Sequence, residues 1–142
     1  MIRYTGDITN TLKGKRQAWY NQSIGWVSIP KNANMQFRKI MSVLKAPRTD
    51  FKSYDDLPEK MFCVWRDPRT RLISGIGEYS ARRRSKRGLG MSQYTEYLEQ
   101  LLKDPTQFDE HLEPQIVYTH SIVFTDVIRF ENLLEDTLKV LP

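Results

Sequence analysis

Apolar residues along this chain recur in two rhythms. Trp26 to Ile29 has the composition of a short buried strand. Phe37, Ile40, Met41 and Leu44 then fall at i, i+3, i+4 and i+7, the stripe of an amphipathic helix. Between them lies the tight turn Pro30-Lys31-Asn32-Ala33, with Asn34 placed as N-cap and Ala33 small enough to let the backbone curl. The helix is predicted to reach about Lys45, where Ala46-Pro47 ends it. The same succession returns at Met61–Trp65, a continuous apolar run suited to a strand covered on both faces. Asp67 as N-cap and Pro68 at the first helical position open the next helix, with Leu72, Ile73, Ile76 and Tyr79 as its apolar stripe.

Two strand–turn–helix units argue for an α/β fold with a parallel sheet and right-handed crossovers. In such sheets ligands collect at the carboxyl ends of the strands, where Lys31 and Arg66 both sit. The first turn also leaves unpaired N–H groups at the positive end of a helix dipole, a ready place for phosphate or sulfate.

Elsewhere the pattern is thinner. Residues 1–22 suggest a short strand or hairpin on the sheet edge, and residues 48–60 a surface loop with one turn. Ala81 to Gly90 reads as a basic loop, either solvated or used in binding. Ser92 can cap a third helix carrying Tyr94, Tyr97, Leu98, Leu101 and Leu102, whose side chains suit a core. Phe108 to Gln115 is polar and irregular. Ile122–Phe124 and Val127–Phe130 read as strands, and Glu131 starts a last helix with acidic residues in its first turn.

At 142 residues the chain is expected to form a single domain, residues 1–142, and its 39% apolar content is that of a folded protein rather than a disordered one. No apolar run approaches membrane-spanning length and no signal-peptide core is visible, so a soluble, cytoplasmic protein is the expectation. Cys63 lies in an apolar run and reads as a small buried hydrophobe. Two histidines and scattered acids show no metal-ligand spacing, so no metal is expected. Charge changes the picture more. Residues 1–90 hold 19 Lys/Arg against 7 Asp/Glu, whereas residues 91–142 hold 3 against 10. One side of the molecule should therefore attract an anionic partner.

Three separated segments together resemble one family, the sulfotransferases that use 3′-phosphoadenylyl sulfate (PAPS), and within it the carbohydrate branch. They are Ile29-Pro30-Lys31-Asn32-Ala33, Arg66 through Ser74 with its Arg-Asp-Pro opening, and Asp109 through Gln115 with its His-x-x-Pro-Gln pattern. The segment Asp126 to Asp136 is similar to the family's closing strand and helix. The resemblance implies a three-layer α/β sandwich with a central, mainly parallel sheet of the P-loop nucleotide-hydrolase type. It implies that Lys31, Asn32, Ala33, Asn34, Met35 and Gln36 hold the 5′-phosphosulfate, and that Arg66 and Ser74 grip the 3′-phosphate. It further implies transfer of a sulfuryl group to a hydroxyl acceptor, carbohydrate being the first choice, with adenosine 3′,5′-bisphosphate (PAP) released. Lys31 would be catalytic on the donor side and His111 the base on the acceptor side, with Glu110 or Asp109 as fallback and His120 structural.

The chain departs from that pattern in places. Asn34, Met35 and Gln36 stand where the family has glycine and a hydroxyl residue, Leu112 stands for tryptophan and Glu113 for a basic residue. Backbone N–H groups and the Gln36 amide could replace the missing hydroxyls. Independently of any resemblance, an arginine at a strand end and a serine eight residues on, about 12 Å along a helix, can offer a fork and a hydroxyl to one phosphate from the helix flank. The plainer alternative is that Arg66 pairs with Asp67 or a neighbour and Ser74 only packs. Two rival functions follow: a nucleotide-binding pseudoenzyme that never consumes the donor, and a small nucleic-acid binder using Arg82 to Arg87, whose affinity would fall steeply with salt. No nucleic-acid motif accompanies that basic run, which places it last.

Overall fold

The computed structural model describes residues 17–49, 54–87, 95–96, 99, 103, 111–119 and 122–142, with the side chains of residue 54 and residues 79–87 set aside. Five strands form one sheet: β1 (Ala18–Tyr20), β2 (Gly25–Val27), β3 (Arg48–Thr49), β4 (Met61–Trp65) and β5 (Asp126–Arg129). Their order is β3-β1-β2-β4-β5. The helices whose bounds fall among the described residues are α1 (Asn34–Val43), α2 (Pro68–Arg87), the short α3 (Ile116–Thr119) and α4 (Leu133–Val140).

The α/β class is as expected, but the sheet is mixed rather than mainly parallel. β2–β4 and β4–β5 pair parallel, while β1 pairs antiparallel with both β2 and β3. The cause is local. Asn21 Oδ1 accepts from the N–H groups of Ser23 (2.8 Å) and Ile24 (3.0 Å), and this tight turn folds β1 straight back onto β2. A connection that short cannot hold the crossover that a parallel pair needs. β1 is also an inner strand, because Arg48-Thr49, expected in a loop, forms the outer edge beside it.

Side chains alternate across the sheet. Trp26, Phe62, Val64 and Ile128 face one way, onto Phe37 and Met41 of α1 and Val140 of α4. Val27, Met61 and Cys63 face the other way, onto Ile29, Tyr118 and Ile122. Rings run through the first cluster in sequence, with centroids 5.7 Å apart from Trp26 to Phe37 and again from Phe37 to Phe62. Burial pushes the Cys63 thiol up to about 12, as suits a packing residue.

Helix α2 differs from its sequence reading in two ways. It runs on through Arg87, so most of the expected basic loop is helix. Its inward stripe is Arg71, Ser74, Gly75 and Glu78, while Leu72 and Ile73 are exposed. The expected third helix at Ser92–Leu102 falls mostly outside the described residues, as do Asp109, Glu110 and His120. Ile122–Phe124 is not a strand; the last strand begins at Asp126. Among the described residues no helix is long and apolar enough to cross a membrane.

Candidate anion-binding cleft

The cleft is built outward from the turn between β2 and α1. Lys31 and Ala33 both take left-handed backbone conformations, with φ of 68° and 60°. The chain therefore reverses sharply, and Ala33, not Asn34, is the N-cap. Asn34 is already helical and makes no side-chain cap. The N–H groups of Gln36 and Phe37 both bond to the Ala33 carbonyl, at 3.1 Å each. Among the described residues those of Asn34 and Met35 have no such partner, and both residues line the cleft at the positive end of α1. A left-handed turn feeding a helix start is the backbone arrangement of anion-binding nests.

The Asn32 side chain is spent inside the protein. It is fully buried, and its Nδ2 donates to the Val64 carbonyl and to Gln115 Oε1, both at 2.6 Å. It ties the loop to the tip of β4. Gln115 completes the tie by clamping the Arg66 backbone, accepting from its N–H at 3.1 Å and donating to its carbonyl at 2.7 Å.

Arg66 does not pair with Asp67. Its Nη1 donates to the Lys31 carbonyl at 3.0 Å and its guanidinium carbon lies 4.2 Å from the Phe130 ring centroid, in cation–π contact. Asp67 instead caps α2, accepting from the Thr70 N–H at 2.9 Å, as its place before Pro68 predicts. From that fixed start α2 presents Ser74 and Glu78 to the cleft, one helical turn apart. Glu78 Oε2 lies 3.5 Å from Lys31 Nζ.

The turn at His111–Gln115 brings His111 to the cleft. Gly75 of α2 packs so closely on it that a β-carbon there would run into the His111 carbonyl oxygen. Arg71, 3% exposed, reaches two main chains: Nε donates to the Pro30 carbonyl at 2.9 Å and Nη1 to the Glu113 carbonyl at 2.6 Å. Burial holds its guanidinium below its ordinary pKa, opposed by the nearby Tyr118 and Glu113. Glu113 is fully buried, and its Oε2 accepts from the Tyr118 hydroxyl at 2.6 Å.

Lys31, Ala33, Asn34, Met35, Gln36, Arg66, Ser74 and His111 thus line one cleft of about 700 Å³. Among the described residues that the sequence assigned to the donor or acceptor site, only Asn32 is turned away from it. Arg38, Arg48, Glu78 and Phe130, none of them anticipated, share the lining. The register of α2 carried a signal for Glu78, since it stands four residues after Ser74 on the same helical face. Asn34 Oδ1 and Arg66 Nε are buried side-chain atoms of cleft-lining residues that have no hydrogen-bond partner among the described residues; others are Asn32 Oδ1, Arg71 Nη2 and Glu113 Oε1, and the indole Nε1 of Trp19 and Trp26. Among the described residues no group of His, Cys, Asp and Glu could hold a metal ion. Comparison with models of known families, with characterised proteins and with solved structures found no match for the chain.

Proposed function

We propose that the cleft binds 3′-phosphoadenylyl sulfate and that the chain transfers its sulfuryl group to a hydroxyl acceptor, carbohydrate being the first choice, on a P-loop-like α/β scaffold. The observation that carries this reading is the convergence, in one cleft, of Lys31, the open helix start at Asn34–Met35, Arg66, Ser74 and His111. A volume of about 700 Å³ is in the range of ligand sites. Two cations and an open helix start suit a donor with phosphate at both ends of its ribose.

Sulfuryl transfer resembles phosphoryl transfer, with a loosely bonded SO₃ group passing in line between two oxygens. Lys31 and the N–H groups of Asn34 and Met35 meet the negative charge that grows on the phosphate oxygen as its bond to sulfur breaks. His111 takes the proton of the acceptor hydroxyl as the new oxygen–sulfur bond forms. Arg66 and Ser74 hold the 3′-phosphate, with Phe130 supporting the guanidinium from beneath. The products are a sulfate ester and adenosine 3′,5′-bisphosphate.

Titration of adenosine 3′,5′-bisphosphate into wild type and Arg66→Ala tests the donor site. A charge-assisted hydrogen bond is worth about 1.5–3 kcal/mol, so the variant should bind roughly 10- to 100-fold more weakly. Equal affinity, or no binding to wild type, overturns the assignment. His111→Ala should lower turnover far more than nucleotide affinity; unchanged turnover removes the base. A second reading, a nucleotide binder that does not consume the donor, is favoured by one observation: the Glu78 carboxylate already engages Lys31. Binding without release of sulfate ester would select it.

A further inference from the structure

We infer that Arg71 is a positioning residue, setting the distance between the anion loop and the turn that carries His111. The inference rests on the reading of the cleft given above, but its main readout does not depend on turnover.

Arg71 joins two segments that are far apart in sequence. The Pro30 carbonyl immediately precedes Lys31, and the Glu113 carbonyl lies two residues after His111. One planar guanidinium spans both, so a shift of either segment breaks a directed bond. A residue needed only to fill space would not be a buried cation, because burying charge is costly and a leucine packs without that cost. The counter-charge is local: Glu113 is fully buried, with its carboxylate hydrogen-bonded by Tyr118. Gly75, one turn along the same helix, abuts the His111 carbonyl. Helix α2 therefore holds the His111 turn at two points and the anion loop at one. Asn32 and Gln115 make a second, separate link between loop and turn, through the tip of β4. The sheet does not run through Arg71, since β2, β4 and β5 pair with each other directly.

A ligand seated on the anion loop should consequently be sensed at His111, and the link should fail when the fork is lost. Lysine keeps the charge but cannot direct two coplanar bonds to two carbonyls. The test is NMR on the full chain, following the His111 ring and the amides of residues 31–36 while adenosine 3′,5′-bisphosphate is added. In wild type both sets should shift together. In Arg71→Lys the amides should still titrate, with affinity within about threefold of wild type, while the His111 response is lost; kcat should fall by about 100-fold with little change in the donor KM. A retained His111 response, or affinity and kcat falling in parallel with stability, overturns the inference. Arg71→Gln serves if the lysine variant does not fold, and failure of both also overturns it, because Arg71 is then a keystone of the fold. If the nucleotide does not bind wild type, the donor reading fails by itself. The His111 ring signals of the two free proteins then decide: a displaced ring in Arg71→Lys supports the inference, and an unmoved one ends it.

Discussion

A β-carbon at Gly75 would meet the main chain of His111 and the side chain of Leu112, whereas one at Gly77, two residues along α2, would meet nothing within 4 Å. The two positions therefore form a controlled pair. Gly77→Ala should gain helix propensity, stabilising by up to about 1 kcal/mol. Gly75→Ala gains the same propensity but drives a methyl into backbone that cannot rotate away, and overpacking of that kind costs about 1–3 kcal/mol. Urea unfolding should give shifts of opposite sign for the two variants. Equal stabilisation would mean that the His111 turn does not rest on the helix. Sequence periodicity could not find this contact. It seeks apolar stripes, and the stripe α2 turns inward is Arg71, Ser74, Gly75 and Glu78.

At the level of elements, what was legible followed from how strongly each segment's own residues dictate its form. Strand β4 matches the apolar run Met61–Trp65 residue for residue, because a strand buried on both faces leaves no polar position to blur its ends. The start of α2 was equally plain, since Asp67 and Pro68 act locally. β1 was legible only as a short strand or hairpin somewhere in residues 1–22, wrongly set at the sheet edge, and β3 not at all; they are two or three residues long and held by neighbours rather than by any pattern of their own. The last helix is fixed by a tertiary contact no periodicity reveals. Asp136 of α4 accepts from the Arg129 N–H at 3.0 Å and from its Nε and Nη2 at 2.8 and 2.9 Å, fastening the helix back onto β5. These hydrogen bonds hold the Asp136 carboxyl well below the usual carboxylate range. A carboxyl with a depressed folded-state pKa adds stability above its unfolded value, about pH 4, and loses it as the pH falls towards the folded value. Asp136→Asn should therefore melt below wild type at pH 7, with the two melting temperatures converging as the pH drops below about 4. A gap that does not change with pH would mean the contact acts through shape rather than charge.

Along the sequence the charges are divided, with the basic first 90 residues supplying the lysine and arginines of the cleft and the acidic remainder supplying β5 and α4. Among the described residues, Lys31, Arg38, Arg48 and Arg66 line the cleft against one carboxylate, that of Glu78. A concave wall of one sign concentrates oppositely charged ligands, and salt weakens that attraction. Affinity for adenosine 3′,5′-bisphosphate should accordingly fall as salt is raised from about 50 mM, where the Debye length is above 10 Å, towards 1 M, where it is about 3 Å. Glu78 gives this expectation a sharper form. Its carboxylate is 3.5 Å from Lys31 Nζ with both side chains partly exposed, an ion pair of modest strength that a phosphate bound as proposed would have to displace. Glu78→Gln should then bind the bisphosphate about two- to fivefold more tightly at low salt, the advantage fading as salt screens the competitor along with the ligand. Weaker binding by the variant would reverse the assignment. Glu78 would then hold the ligand itself, for instance by accepting from a ribose hydroxyl, and the pairing with Lys31 would be a way of orienting both groups rather than a contest for the lysine.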